Sequence, residues 1–450
     1  MGHVLLAGPR IENFALADAT VRLLQRRGTR VSVLATDPIT ARFLFEHGVA
    51  HRLLAPTRVR PRLSGELDDF AQREVRFRGQ PGSSAEVDRA RRFLARRLSP
   101  LLRAFESDLP DLLLTIDARG GLDRLIHATA RSFGCATAHL GRGLVPGTLQ
   151  HDAEGIDGDR APYADDRALE ADRALVDSAI AVALAGGAPQ VGALPRVVFR
   201  PRLLDRLRAR FTSEDRPAAR ARMQAWLDAA DAPLLTVEAS VRDLPAAPFV
   251  AVLLQAPDDP RIRLDVDGPS PDPRELVAEV RRITSDLGLG DTVVAVLDPA
   301  QSHRAALAAM NKVHVAPHHS AATVAALASV VITVNHPQAA IGALAGTPTF
   351  CLGRAMYARE GLAWSALLPG LGRVVESKGR ERRTAAAHRA ATVLLRDEHL
   401  WCDPERPDSN GLAGLARFVE GLLAKASPPP PPVHYEPGPI WPGERRDVEG

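Results

Sequence analysis

Residues 3–37 read HVLLAGPRIENFALADATVRLLQRRGTRVSVLATD. His3 to Ala7 is a short apolar run broken by Gly8-Pro9, and Phe14 to Arg27 carries the three-and-four spacing of an amphipathic helix. Gly28 ends that helix, Val31 to Ala35 supplies a second apolar run, and Asp37 stands at its tip. Strand, helix and strand in this order form a βαβ unit, the building block of a parallel sheet covered by helices. The pattern returns at Leu112 to Ile116, followed by Asp117, a helix from Leu122 to Phe133, Gly134 and the run Ala136 to Leu140.

The same alternation governs the second half of the chain. Five short apolar runs stand at Phe249 to Leu254, Thr292 to Leu297, Lys312 to Ala316, Val330 to Val334 and Thr349 to Leu352. Helical patterns lie between them at Asp272 to Leu287, Gln301 to Met310, Ala321 to Ala328 and Gln338 to Ala345. Apolar strands separated by helices mean a sheet buried on both faces. The expected fold is therefore α/β, with two Rossmann-like, doubly wound parallel-sheet domains facing a cleft. The expected boundaries are 1–205 and 206–425, followed by a Pro-rich, disordered tail at 426–450.

Other segments are less periodic. Arg58 to Ser84 is polar and broken by Gly and Pro, so it reads as a long loop or short irregular elements. The segment Asp88 to Phe105 interleaves Arg89, Arg91, Arg92, Arg96, Arg97 and Arg103 with Phe93, Leu94, Leu98, Leu101 and Leu102. It reads first as a core helix with a solvated Arg face, and alternatively as a surface for anionic lipid or phosphate. A further helix is expected at Arg216 to Ala229.

Composition narrows the classes. The 450 residues are 45% hydrophobic and 25% charged, as in chains that bury cores. Lys and Arg number 57 against 54 acidic residues, and a formal charge of +3 over this length gives nucleic acid no strong field. Three widely spaced cysteines, Cys135, Cys351 and Cys402, form neither a disulfide framework nor a metal-binding pair. The opening MGHVLLAGPR lacks the pattern of a secretion signal, and no apolar run is long enough to span a bilayer, so a cytoplasmic protein is expected.

In open parallel sheets, ligands bind beyond the carboxyl ends of the strands. The residues there are Gln255 to Asp259, Asp298-Pro299, His318-His319-Ser320, Asn335-His336-Pro337 and Gly353-Arg354. In the first half they are Gly8 to Asn13, Asp117 to Gly121 and Gly141 to Gly147. His314, His318 and His319 lack acidic or Cys partners at metal spacing, so no metal site is expected. No P-loop or G-x-G-x-x-G stands in the chain.

Residues 330–364, VVITVNHPQAAIGALAGTPTFCLGRAMYAREGLAW, resemble the signature of the bacterial capsule polysaccharide biosynthesis and export family, the β-Kdo glycosyltransferase-like group of GT-B fold. Asn335, Ala343, Leu344, Pro348, Leu352, Gly353, Arg354, Ala355, Tyr357, Gly361 and Leu362 fall where that pattern places them. The segment FVAVLLQAPDDPRI at 249–262 is similar to the family's strand followed by Gln-x-x-x-Asp, which places Gln255 and Asp259. A weaker likeness covers GRGLVPGTLQHDAEGID at 141–157, through Gly143, Pro146, Thr148 and Leu149.

The resemblance implies transfer of a Kdo-like sugar from a CMP-activated donor to a lipid or saccharide acceptor, peripherally at the cytoplasmic membrane face. The nucleotide sugar is then a substrate, and no tightly bound cofactor is expected. The resemblance also implies retention at the anomeric carbon, which needs a carboxylate nucleophile or a shield for an oxocarbenium-like centre, so Asp259 and Gln255 are the catalytic candidates. Donor-binding candidates are Asn335, His336, Gly353, Arg354, Asp298, His318 and His319, with Arg354 able to grip a phosphate or carboxylate bidentately. Asp117, Arg119 and Arg142 are candidates for the acceptor side.

Three positions depart from the family pattern. Gly141 and Arg142 stand in place of an acid, Asp298-Pro299 in place of a Lys-x-His-Pro turn, and His336 in place of Ser. These departures keep two alternatives open: an inactive member that binds a nucleotide sugar or a capsule-assembly partner, and a GT-B transferase or epimerase using another nucleotide sugar.

Overall fold

The computed structural model describes residues 2–9, 13–57, 65–80, 82–153, 155, 171–185, 244–245, 248–255, 259–266, 271–290, 292–297, 303–316, 319–359, 361–379, 385–404 and 407–425. The expected helix at 216–229, the boundary between 205 and 206, and the tail from 426 lie outside them.

The first sheet contains β1 (His3–Ala7), β2 (Arg30–Ala35), β3 (Arg52–Leu53), β4 (Leu112–Ile116), β5 (Ala136–Arg142), β6 (Leu149–Asp152) and the late strand β13 (His399–Leu400), in the order β13-β6-β5-β4-β1-β2-β3. Strands β1 to β5 pair in parallel, while β6 is antiparallel to both β5 and β13. The second sheet contains β7 (Phe249–Leu253), β8 (Thr292–Val296), β9 (Val313–Val315), β10 (Val330–Thr333), β11 (Thr349–Cys351) and β12 (Trp364–Ser365). Its order is β12-β11-β10-β7-β8-β9, parallel throughout. Read from β9, that is the 3-2-1-4-5-6 order of a Rossmann sheet, whose direction of winding reverses between its first and fourth strands. The reversal falls between β7 and β10 here, and between β1 and β4 in the first sheet.

Helices cover both faces of each sheet. The first half supplies α1 (Phe14–Arg26), α2 (Pro38–Glu46), α3 (Asp68–Phe77), α4 (Ser84–Ser107), α5 (Gly121–Ser132) and α6 (Arg173–Ala185). The second supplies α7 (Pro260–Asp265), α8 (Pro273–Leu287), α9 (Arg304–Ala308), α10 (Ala321–Leu327), α11 (Ala339–Ala345), α12 (Leu371–Lys378), α13 (Ala385–Asp397) and α14 (Ser409–Lys425).

Three features differ from the sequence reading. The stretch expected as a loop at 58–84 contains α3, which opens on Asp68 and Asp69 and turns Ala71, Glu74 and Val75 inward. Carboxylates in the first turn suit the positive end of a helix, and the Gly and Pro residues around α3 hide its period. Next, α6 leaves the first half to bury Val176, Ala179 and Ala183 among Ala322, Ala340 and Leu394 of the second domain. In exchange, β13 and α14 return to the first sheet, where Leu415, Ala416 and Val419 pack with Val4, Leu6 and Leu114. Each domain is thus completed by a piece of chain from beyond its expected limit.

The arginine-rich helix α4 buries Leu94, Leu101 and Phe105. Arg91 pairs with Asp68 and Asp88, and Arg97 is buried with its guanidinium 3.9 Å above the Phe93 ring. Much of its arginine set is therefore engaged within the domain.

Leu415→Ala should cost about 2–5 kcal/mol, the range for a buried Leu whose site cannot collapse. The loss is expected in hydrogen exchange as reduced protection of β1 and β4; unaltered protection there would detach α14 from the first core.

Candidate functional site

Gln255 and Asn335 each lie two residues beyond a paired position of β7 and β10, Leu253 opposite Thr333. They therefore meet where the second sheet reverses its winding. The Asn335 backbone N–H donates to Gln255 Oε1 (3.2 Å), and Gln255 Nε2 donates to Asp259 Oδ2 (3.2 Å). Asp259 is the N-cap of α7: its Oδ1 accepts from the Arg261 N–H (2.8 Å), with Pro260 at the first helical position. An Asp cap followed by Pro is a sequence-level helix start, and that signal could have revealed α7 in advance. Both carboxylate oxygens are thus engaged, and the Arg261 guanidinium lies 3.8 Å from Oδ2.

Asn335 also ties in the tip of β11. Its Nδ2 donates to the carbonyls of Arg261 (3.1 Å) and Arg354 (3.5 Å). Two carbonyl acceptors fix the amide orientation, since Oδ1 in that place would face oxygens. Asn335 Oδ1 is buried and accepts from no described residue, and Asn335 lines a cavity of about 10 Å3 with Arg261, Asp265, Arg354, Tyr357 and, from the first domain, Leu144. That volume is roughly the room of one water molecule.

Gly353 lets the β11 tip approach α7, because a Cβ there would stand 3.0 Å from the Asp265 carbonyl oxygen. Arg354 follows, with its backbone N–H donating to that same oxygen (2.7 Å) and Nη2 to the Leu264 carbonyl (2.8 Å). Its side chain is about half exposed and lies 3.8 Å from Asp265 Oδ1.

His336 stands partly buried just beyond the end of β10. Its Nδ1 accepts from the Gln338 N–H (3.2 Å), and its carbonyl accepts from the Tyr357 hydroxyl (2.7 Å). Burial, reinforced by the Arg261 charge and opposed by Asp259, pushes the imidazole down to about 4. At neutral pH the ring is therefore uncharged, and the Nδ1 acceptor role leaves the proton on Nε2.

The structure brings Gln255, Asp259, Asn335, His336, Gly353 and Arg354 into one cluster. His319 belongs to the tip of β9, three strands from β10, and precedes Ser320, the N-cap of α10. Asp298 and His318 lie outside the described residues. On the first domain, Asp117 sits at the reversal point with φ 52°, its N–H donating to the Leu140 carbonyl (2.8 Å). Arg119 is buried; its N–H donates to Asp123 Oδ2 (3.0 Å), and its carbonyl accepts from Arg73 Nε (2.8 Å). Arg142 ends β5 with an exposed side chain, its carbonyl accepting from Gln150 Nε2 (2.9 Å).

The three cysteines are buried, which pushes the Cys135 and Cys351 thiols up to about 12 and that of Cys402 to about 11. None is a thiolate nucleophile at neutral pH. Among the described residues there is no cluster of three or more His, Cys, Asp or Glu suited to a metal ion, and no helix long and apolar enough to cross a membrane.

No family model and no curated protein sequence matches the chain. Solved structures similar to it include the calicheamicin glycosyltransferase CalG4, at 15% identity and TM-score 0.39, covering 95% of this chain and 100% of that one. MurG of Acinetobacter baumannii is similar at 10% identity and TM-score 0.38, covering 94% and 100%. The UDP-GlcNAc 2-epimerase of Methanocaldococcus jannaschii is similar at 11% identity and TM-score 0.34, also covering 94% and 100%. At these identities and scores, such likenesses assign no activity.

The low His336 pKa has a measurable consequence. The unfolded imidazole takes up a proton below about pH 6.5, while the folded one resists until about 4, so stability is present above 6.5 and lost as pH falls. The loss is up to about 3 kcal/mol across that window. His336→Gln should flatten the dependence of denaturation midpoint on pH between 6.5 and 4; an unchanged slope would show that His336 is not held neutral.

Proposed function

We propose that the chain is a glycosyltransferase that moves a sugar from a nucleotide-activated donor to an acceptor in the cleft between its domains. The observation that carries this reading is the convergence of Gln255, Asp259, Asn335, His336 and Arg354 at the second sheet's reversal point. Phosphate-bearing ligands are favoured at such points, where loops diverge.

The chemistry follows from the residue types. In the transfer, the bond from the anomeric carbon to the leaving phosphate oxygen breaks, and an acceptor hydroxyl bonds to that carbon and passes its proton to the departing phosphate oxygen. The Nε2–H of neutral His336 suits a developing phosphate oxygen, and the Arg354 guanidinium suits the phosphate or a carboxylate on the sugar. Asp259 supplies negative charge toward an oxocarbenium-like carbon, held in orientation by Gln255 and by its own cap bond. Closure of the domains would exclude water from the activated sugar.

A Kdo-like donor fits the resemblance at residues 249–262 and 330–364 and would present a carboxylate to Arg354. Capsule or surface polysaccharide synthesis, with a lipid or oligosaccharide acceptor at the inner face of the cytoplasmic membrane, is the setting this donor implies. A second reading has its own observation: both Asp259 oxygens are engaged in capping and in the Gln255 bond, as in a site that binds a nucleotide sugar without turning it over.

Thermal shift with CMP, UDP and GDP should identify one nucleotide that stabilises the fold, by about 2.7 kcal/mol at a hundredfold excess over Kd. Absence of stabilisation by all three would remove the donor site. Asp259→Asn keeps a capping acceptor and removes the charge. Transfer of labelled sugar should fall about a hundredfold or more with the melting temperature nearly unchanged. Transfer at the original rate would confine Asp259 to capping α7.

A further inference from the structure

A second and larger cavity, of about 340 Å3, opens between the first domain's α3 and α5 and the second domain's Leu264 and Arg354. Its wall carries Arg73 and Arg76 on α3, Arg124 on α5 and Arg354 beyond β11, against the single carboxylate of Asp69. Arg73 and Arg76 are three residues apart on one helix face, where like charges repel. The Arg76 guanidinium makes no hydrogen bond or ion pair with any described residue, and its side chain is exposed. Guanidinium groups converging on a concave wall concentrate positive potential and offer paired N–H donors matched to carboxylate or phosphate.

The neighbouring helix terminus does not supply this field. The N-terminus of α5 is already satisfied by Asp123, which accepts from the Arg119 and Gly120 N–H groups (3.0 and 2.9 Å), and by Glu74, which accepts from the Leu122 N–H (3.1 Å). The fit is close: a Cβ on Gly121 would overlap the Phe70 carbonyl oxygen of α3. Anion attraction in the cavity therefore comes from the arginine side chains, placed by this tight α3–α5 packing.

Position decides which ligand this wall meets. Three of the four arginines stand on the first domain, beside that sheet's reversal point, while the cluster of Gln255, Asn335 and His336 stands on the second. The volume is at the lower end of small-molecule sites, enough for a sugar ring or headgroup carrying one oxyanion. We propose that the first-domain arginines of this wall, Arg73, Arg76 and Arg124, form the subsite for an anionic group, carboxylate or phosphate, on the acceptor, across the cavity from Arg354 on the donor side. This rests on the glycosyltransferase reading for the word acceptor, but the oxyanion site itself does not.

The test uses the full chain, with the double variant Arg76→Gln/Arg124→Gln as comparison, at constant ionic strength. Inorganic phosphate binding, followed by calorimetry, should weaken tenfold or more in the variant, while stabilisation by the preferred nucleotide stays unchanged. Two further arms separate the sources of the anion. Glucuronate against glucose probes a charged sugar, and vesicles with phosphatidylglycerol against pure phosphatidylcholine probe a lipid headgroup. At least one arm should show a preference for the anion that the variant loses.

Equal phosphate affinity in both proteins, no saturable phosphate binding, or no arginine-dependent preference in either arm would overturn the subsite. Competition between phosphate and the nucleotide would also overturn it, by assigning the wall to the donor. A nucleotide that fails to stabilise the chain while phosphate still binds through the arginines would sink the donor reading alone.

Discussion

Asn335 holds the candidate site together. Its backbone N–H is tied to Gln255 at the end of β7, and its side-chain amide to the carbonyls of Arg261 on α7 and Arg354 beyond β11. One buried residue thereby fixes the relative positions of three strand tips and of the helix that Asp259 caps. A buried polar group is stable only when its hydrogen bonds are made, so this network tolerates few arrangements. A loop tip that would otherwise be mobile becomes a rigid platform for His336 and Arg354.

The platform faces a first domain that is locked to it by exchanged elements. The buried ion pair between Arg359 and Glu398 joins a second-domain loop to the segment entering β13, with Nη1 and Nη2 3.0 and 2.9 Å from the two carboxylate oxygens. His399 extends the joint, Nδ1 donating to the Leu394 carbonyl on α13 (2.7 Å) and Nε2 accepting from the Leu144 N–H (3.1 Å). Leu144 in turn lines the small cavity with Asn335. The loop after β5 of the first sheet thus reaches the site through packing and hydrogen bonds.

Much of this was legible in the sequence because the strands are short, apolar and bounded by glycine or polar residues. His3 to Ala7 and Leu112 to Ile116 appear with the limits their composition suggests, and the other strands expected from the sequence differ by a residue or two, while β6 is not among those expected. What the sequence leaves hidden has physical reasons. Strands β3, β12 and β13 have two residues each, too few for any period, and β13 takes its meaning from a distant partner, β6. The exchange of α6 and α14 between domains leaves no local mark, because an apolar helix face does not name the sheet it will cover. Gln255, Asp259, Asn335 and Arg354 could be picked out as strand-end residues, whereas Arg73 and Arg76 sat in a stretch without visible period. The capping role of Asp259 is written in Asp259-Pro260, beside its candidacy for catalysis.

In the proposed transfer, the nucleotide lies at the second sheet's reversal point and the acceptor beside the first, across one cleft. Hydrogen exchange with and without the stabilising nucleotide tests this most directly. New protection is expected at residues 253–255, 259–266, 333–336 and 352–357, with a weaker effect on α3 across the cleft. Protection confined to the outer edges of the sheets, around β3 or β9, would contradict it.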